Sequence, residues 1–430
     1  MQQEEFIMLL MFKVKNYTSF KNETILDLRP TSYVQHPSHI INATDKIKLL
    51  KTAALYGANA SGKSNLISAM FFFEQYIFSQ FITKKENEDI DLSEQIKIKL
   101  EPFMLSKDEN NASEFDIIFI KNGKQIQYGF ECTSSEVINE WYYIDEKKVF
   151  ERTGTHVTYG AKFQKALNAY DKIPVERLYL SVLEYFLEDE IKKEILTDFI
   201  NFFVNEYNVF TEIFFESTVK RLAGSIMLSK NLVSDKKYRE KVEGYLRLID
   251  VGIDRLDIQT EIVSNRRTGK EKKEKVVRTV HGIYDNNGNQ VGEKFFDLQQ
   301  ESTGTLRFLS YIQNIIGLIE RGGVFIVDEM SARLHPLLTK LIVDIFQDSN
   351  NTKAQLIFTT HDISLLNYNQ FRRDEVVFID KNERGESSLY SLSDLKVRED
   401  ATFNKDYLQG KYGAIPIFNH SELSDGEIHG

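Results

Sequence analysis

The sequence predicts an α/β fold with a mixed sheet core, an antiparallel β subdomain and an inserted helical segment, and three stretches predict it. Residues 53–65 run from the apolar "AALY" into "GANASGKSN" and then into a helical repeat. Residues 322–330, "GGVFIVDEM", join two glycines and four apolar residues to a pair of acids. Residues 355–362, "QLIFTTHD", form a third apolar run that ends in polar groups. Short, continuously apolar runs of this kind read as buried parallel strands, which deliver side chains to a ligand at their carboxyl ends.

The first stretch matches G-x-x-x-x-G-K-[ST] in full. Gly57 and Gly62 let the backbone approach an anion, Lys63 can reach terminal phosphates, and the Ser64 hydroxyl can ligate magnesium. Asn59, Ser61 and Asn65 join them as nucleotide-contacting loop positions. Leu66, Met70, Phe73 and Ile77 follow at steps of four, three and four, which is one face of a helix. A strand, a glycine turn and a helix start in succession place backbone N–H groups and the helix dipole together on bound phosphates.

A nucleotide hydrolase also needs a carboxylate to hold metal and a group to orient water. Asp328 is expected to hold magnesium through its water shell, and Glu329 to position or deprotonate the attacking water. His361, at the tip of the third stretch, fits a sensor of the terminal phosphate. In "ESTGTLRFLSYIQNIIGLIE" (301–320), Leu306, Leu309, Ile312, Ile316 and Ile319 give a helical stripe. Ser302, Thr303 and Gly304 sit at the N-terminal end of that stripe, an anion-binding position. A second anion site beside the cradle at 57–64 suggests ATP clasped between two subunits.

With 430 residues, 42% hydrophobic and 27% charged, the chain is long enough for two or three domains. A net charge of −10 excludes a molecule that is basic overall, so any nucleic-acid contact must be local. Cys132 is the single cysteine, which rules out an internal disulfide and fits a reducing cytoplasm. The opening "MQQEEFIMLLMF" has acids where a signal peptide needs basic residues, and reads as a strand. The apolar stretch 66–82 is interrupted by Glu74 and Gln75, so a buried helix fits it better than a membrane span.

Four regions are expected: an N-terminal lobe at 8–160, a helical insertion or lid at 161–253, a C-terminal lobe at 254–418 and a disordered tail at 419–430. The first lobe holds a hairpin at 8–30 and antiparallel strands at 96–160. Two strands near 254–297 flank "SNRRTGKEKKE", whose tip at 266–278 carries Arg266, Arg267, Lys270, Lys272, Lys273 and Lys275. That tip reads either as a solvated loop or as a phosphate-contacting finger for DNA or RNA.

The phosphate loop, "ESTGT", "FIVDEM" and "FTTHD", in this order, resemble ABC-type ATPases of the SMC, RecF and OLD-like group. Asn59, Asn65 and the opening "KVKNYTSFKNE" resemble that group more than transporter ATPases. Within it, the sequence is similar to the AAA-type ATPase components of bacterial phage-defence (abortive infection) systems such as AbiL, RloA and PARIS. The matching stretches are "PFML", "YGFE", "LHP", "FRRDEVVFIDK" and "YLQGKYGAIP", and coverage runs from about residue 10 to 418. The resemblance implies ATP and Mg2+ as ligands, and a head-to-tail dimer in which Ser302 and Gly304 of one subunit close on the γ-phosphate held by Lys63 and Ser64 of the other. It implies that Ser331 and Ala332 line the seam, and that the chain is the sensor ATPase of an antiviral system acting through a separate effector. Two departures stand out: the signature lacks the LSGGQ letters, and the Q-loop glutamine has only Gln95 and Gln125 as candidates. His335 fits both the "LHP" match and a simple helix start before Pro336. About seventy residues follow His361, too few for a fused Toprim nuclease. The alternatives are a RecF-like DNA-repair ATPase using the basic tip, and a non-hydrolysing scaffold with structural nucleotide.

Overall fold

A computed structural model describes residues 7–81, 99–107, 112–168, 173–211, 229–249, 252–264, 271–397 and 402–415. The chain opens with β1 (Ile7–Lys15) and β2 (Thr24–Asp27), an antiparallel pair as the 8–30 hairpin predicts. A small pair, β3 (Ile40–Asn42) and β4 (Lys48–Leu50), precedes β5 (Thr52–Tyr56) and the helix Lys63–Phe81. Five antiparallel strands follow: β6 (Ser113–Lys121), β7 (Lys124–Cys132), β8 (Val137–Ile144), β9 (Lys147–Thr153) and β10 (His156–Tyr159). With β1 and β2 they make a seven-stranded sheet in the order β10-β9-β8-β7-β6-β1-β2.

The segment expected to be helical between 161 and 253 is helical only in part. "VLEYFLEDEIKKEILTDFINFFVNEY" breaks into helices Tyr179–Phe186, Asp189–Ile195 and Thr197–Asn201, then a π turn at Phe202–Glu206. It ends in β11 (Tyr207–Phe210), a strand parallel to β15 (Gly323–Val327). The reason is aromatic packing. Phe199, Phe202 and Phe203 are buried, and Phe202 stacks on Phe119 of β6 at 4.1 Å between ring centroids. Burying several rings on one sheet outweighs the modest advantage of continuing a helix. A later helix, Lys236–Ile249, leads into β12 (Ile253–Ser264), β13 (Glu271–Tyr284) and β14 (Gln290–Asp297), a three-stranded antiparallel sheet.

The helix Thr303–Arg321 then precedes β15, and the helix Pro336–Gln347 links β15 to β16 (Ala354–Thr359). After β16 come β17 (Val376–Lys381) and β18 (Ser387–Ser391). The central sheet has the order β11-β15-β16-β5-β17-β18, parallel throughout except for the final β17–β18 pair. Residues of β5, β15 and β16 are buried on both faces, which is why these strands read as unbroken apolar runs. Alternate side chains divide between two cores. Leu55, Ile326 and Ile379 face the helix Lys63–Phe81, whereas Tyr56, Phe325 and Phe378 face the opposite layer.

The helix Lys63–Phe81 therefore lies between the two large sheets. Its Phe73 stacks on Phe130 of β7 at 5.3 Å and meets Phe12 of β1 edge-on at 5.9 Å. Gln355 of β16 joins the sheets directly: it accepts from the Leu9 N–H at 2.7 Å and donates to the carbonyls of Leu9 and Leu50 at 3.0 and 2.9 Å. The two bonds to Leu9 sit where the register between β1 and β6 shifts, so the glutamine satisfies backbone groups that the ladder leaves open. Among the described residues, no helix is long and apolar enough to cross a membrane. Gln95, Arg266, Arg267, Lys270 and the tail 419–430 lie outside the described residues.

A buried ion pair organises the edge of the seven-stranded sheet. Glu140 of β8 and Arg152 of β9 are both fully enclosed, 3.4 Å apart. Glu140 accepts from Tyr128 Oη and from the N–H groups of Tyr179 and Leu180 at the start of the helix Tyr179–Phe186. Arg152 donates to the carbonyls of Gly154, Pro174 and Arg177. Removing one partner strands the other charge. Arg152→Met is expected to cost about 3–5 kcal/mol, read as a lowered urea midpoint of the full chain.

Candidate functional site

β5 runs straight into a turn that only small residues can make. A Cβ on Gly57 would stand 2.3 Å from the Ile379 carbonyl oxygen, and one on Gly62, at φ +116°, would meet Ser387 Oγ at 2.4 Å. Ala60 also takes a left-handed φ of 62°. The turn brings Lys63 to the first helical position, where its ammonium donates to the carbonyls of Gly57 and Ala58 at 2.9 Å each. Burial lowers the Lys63 pKa to about 8, against the opposing pull of Asp328 and Glu329. Ser61 Oγ is buried with no hydrogen-bond partner among the described residues. A buried hydroxyl left open in a glycine turn fits a phosphate oxygen.

Three strand ends meet in front of this turn. Ser64 Oγ donates to Asp328 Oδ1 at 3.1 Å, across 264 residues of sequence, and Thr359 Oγ1 donates to the same oxygen at 2.6 Å. The Thr359 hydroxyl in turn accepts from the Glu329 N–H at 2.6 Å, and its carbonyl accepts from the Met330 N–H at 3.0 Å. Asp328 is held from the other side by its own N–H, which donates to the Phe210 carbonyl at 2.9 Å. Glu329 sits at φ 48°, a conformation rare for a residue with a long side chain, and Thr359 secures it there.

His361 completes this edge. Burial, and then the neighbouring Lys63 cation, lower its pKa below the ordinary histidine value, with Glu329 and Asp328 acting the other way. The ring is therefore mainly neutral at pH 7. A cavity of about 420 Å³ opens between residues 59–65 of the turn, Glu329, His361 and Lys381. Gly57, Asn59, Ser61, Gly62, Lys63, Ser64 and Asn65 thus cluster with Asp328, Glu329 and His361.

Several residues that brace the turn carry no motif. Ser387 Oγ of β18 lies 2.7 Å from Ser19 Oγ and 2.6 Å from the Ser61 carbonyl, while Asn65 Nδ2 donates to Ser19 Oγ at 2.7 Å. The Asn65 amide, expected to contact nucleotide, is thus bonded to the β1–β2 loop, although the residue lines the cavity. Thr359 is the other supporting residue that sequence reading passes over. The signal available was a hydroxyl at the last position of the strand before His361.

Ser302 and Gly304 do not line the cavity. Ser302 caps the helix Thr303–Arg321, its Oγ accepting from the Thr305 N–H at 3.0 Å. A Cβ on Gly304 would stand 3.0 Å from the Arg333 carbonyl oxygen, and Arg307 donates to the Ala332 carbonyl at 2.6 Å. Ser331 Oγ lies 2.9 Å from Thr360 Oγ1. His335 is a helix start: its Nδ1 accepts from the Leu337 N–H at 3.2 Å, one residue before Pro336. Gln125 lies at the start of β7 with its N–H bonded to Asp145, away from the cavity. In the described part of the basic tip, Lys273 and Lys275 are exposed, while Arg278 pairs with Glu261 and Asp297 at 2.7 and 2.8 Å.

A protein-family model described as "AAA domain, putative AbiEii toxin, Type IV TA system" matches residues 53–367. A comparison with curated protein sequences finds no match. Among solved structures, the chain is similar to an SMC head bound to the C-winged helix domain of ScpA. That match has 12% identity over 89% of this chain and 97% of the other, with a TM-score of 0.45. It is also similar to the SMC head domain from Thermotoga maritima, at 12% identity over 90% and 99%, with a TM-score of 0.39. An Smc head domain with an extended coiled coil, derived from Pyrococcus furiosus, matches at 11% identity over 94% and 99%, with a TM-score of 0.40.

The lowered pKa of Lys63 has a direct consequence for anion binding. The ammonium is charged below about pH 8 and neutral above it, so affinity for inorganic tripolyphosphate is expected to be full below that value and to fall as pH rises through it. Bound anion favours the charged lysine and moves the midpoint upward. Calorimetric titration of the chain with tripolyphosphate on both sides of pH 8 checks this.

Proposed function

The chain belongs to the AAA-domain family whose model spans residues 53–367, and on that footing we propose that it is an ABC-type ATPase that dimerises around ATP. The observation that carries the reading is the convergence of Lys63, Ser64, Asp328, Glu329 and His361 on one cavity, beside a buried hydroxyl with no partner among the described residues. In this reading the turn N–H groups, Lys63 and the Ser61 hydroxyl grip the phosphate chain. Ser64 and Asp328 would hold magnesium. Among the described residues no cluster of three or more histidine, cysteine or acidic side chains offers an all-protein metal cage. Two protein oxygens suit magnesium, which takes the rest of its shell from phosphates and water and neutralises charge on the transferring phosphoryl group.

Glu329 then serves as the base that orients the attacking water and accepts its proton, while neutral His361 donates a hydrogen bond to the γ-phosphate. Both follow β15 and β16 in the sheet, so in this reading water meets the phosphate on that side. Ser302 and Gly304, which do not line the cavity of their own chain, are assigned to the nucleotide of a second copy, with Ser331 and Ala332 at the seam. ATP binding would join two subunits head to tail, and hydrolysis would release them. The phage-defence resemblance supports a sensor ATPase that controls a separate effector, and we assign the 161–253 segment as the element that reports nucleotide state.

Glu329→Gln is expected to retain ATP binding while steady-state phosphate release falls by about two to four orders of magnitude. Lys63→Ala is expected to lose nucleotide affinity itself. With ATP and magnesium, Glu329→Gln should accumulate as a dimer in light scattering, since it binds but does not turn over. Unchanged phosphate release in Glu329→Gln would overturn the catalytic assignment, and an ATP-independent monomer would overturn the dimer. Copurification with the product of the neighbouring gene, with and without ATP, tests the effector.

A further inference from the structure

One cation in the nucleotide cavity has no place in the reading above. Lys381, the last residue of β17, lines the same cavity as Lys63, Glu329 and His361. Its position follows from the pleat of the strand. Ile379 faces the core that contains Leu55, Leu66 and Met70, the layer of the helix Lys63–Phe81. Side chains two apart on a strand share a face, so Lys381 projects beside the turn that begins that helix. The fit is close, because the Ile379 carbonyl fills the space where a Cβ of Gly57 would stand. On the paired strand, Ser387 lies opposite Lys381 and its hydroxyl sits 2.6 Å from the Ser61 carbonyl.

The lysine is half-buried, and among the described residues no carboxylate lies within ion-pairing distance of it. Its backbone is held, since its N–H donates to Asp380 Oδ1 at 3.0 Å. Two lysines and a histidine therefore face a cavity whose one lining carboxylate among the described residues is Glu329. Such a site is electrostatically complementary to a polyanion.

The sheet order fixes the direction of approach. Glu329 and His361 follow β15 and β16, on one side of β5, whereas Lys381 follows β17, on the other. We propose that Lys381 is a second phosphate-binding lysine, which grips the phosphate chain of the bound nucleoside triphosphate from the flank opposite the attacking water. The assignment rests on the ATP-binding reading. Because it acts away from the breaking bond, this contact is made equally in the ground and transition states. It tightens binding and leaves the chemical step alone.

The test is equilibrium binding of Mg-ATP, ADP and adenosine to the full chain, with Lys381→Gln, Lys381→Arg and Lys63→Ala compared with wild type. Loss of a charge-assisted contact is expected to weaken ATP binding about tenfold in Lys381→Gln, with adenosine affinity unchanged and phosphate release at saturating ATP within about twofold of wild type. Lys381→Arg keeps the charge and is expected to restore most of the affinity; its thermal melt, with that of Lys381→Gln, shows that the fold is retained. ATP affinity within twofold of wild type in Lys381→Gln overturns the proposal, as does an equal loss for adenosine, which would place the lysine on the base or ribose. If wild type binds ATP and Lys63→Ala does not, the nucleotide reading stands whichever way Lys381 falls. If wild type binds no ATP, both fall together.

Discussion

A single carboxylate oxygen, Asp328 Oδ1, is the point through which the site is assembled. It accepts hydroxyl hydrogen bonds from Ser64, in the first turn of the helix after β5, and from Thr359, which ends β16. The three strands involved are adjacent in the order β15-β16-β5, so one oxygen can be reached from both neighbours of β16 and from β16 itself. A carboxylate exposed by only 9% is costly unless it is bonded, and bonds to an ionised acceptor are among the strongest available. These bonds hold the phosphate turn and the acidic strand in register.

That register would be of little use if the sheet or the helix could shift, and the packing prevents it. The helix Lys63–Phe81 is wedged between two sheets by Phe12, Phe73 and Phe130, and Gln355 ties β16 to β1 through two buried hydrogen bonds and to β4 through a third. The turn is braced from a third direction, since the Ser19 and Ser387 hydroxyls sit beneath Gly62. Positioning at a catalytic site depends on such supporting contacts, because small displacements of a base or a phosphate cost rate steeply. The left-handed backbone of Glu329 belongs to the same scheme: Thr359 holds that residue by its N–H, with the side chain aimed into the cavity.

What could be read in the sequence followed from locality. The phosphate turn, the acidic strand and the histidine strand each declare themselves within about ten residues, through an apolar run and the polar groups at its end. The helix face at Leu66, Met70, Phe73 and Ile77 is fully buried, as its period indicates. The supporting residues were not legible, because their meaning lies in partners far along the chain: Ser19 and Ser387 are 368 residues apart, and Gln355 and Leu9 are 346 apart. A serine in a loop and a glutamine in a strand carry no local signature of such contacts. β11 was hidden for a different reason. "YNVF" follows an aromatic helical stripe without glycine or proline to mark the change, and only its pairing with β15 makes it a strand.

The loop after the acidic pair couples Glu329 to the helix Thr303–Arg321. Arg307, 1% exposed, donates to the Ala332 carbonyl, and Gly304 packs closely on the Arg333 carbonyl, where a Cβ would stand 3.0 Å from its oxygen. Ala332 and Arg333 lie three and four residues past Glu329, with Ser331 bonded to Thr360 beside His361. The helix N-terminus and the loop carrying Glu329 therefore form one packed unit rather than two independent parts. In the proposed dimer, a partner's phosphate chain that engages Ser302 and Gly304 would act on this unit, and any movement of the helix would be delivered to the base of the opposite site. Communication between the two nucleotides would then need no dedicated relay, because a buried arginine and the close packing at Gly304 already join the two ends of the path.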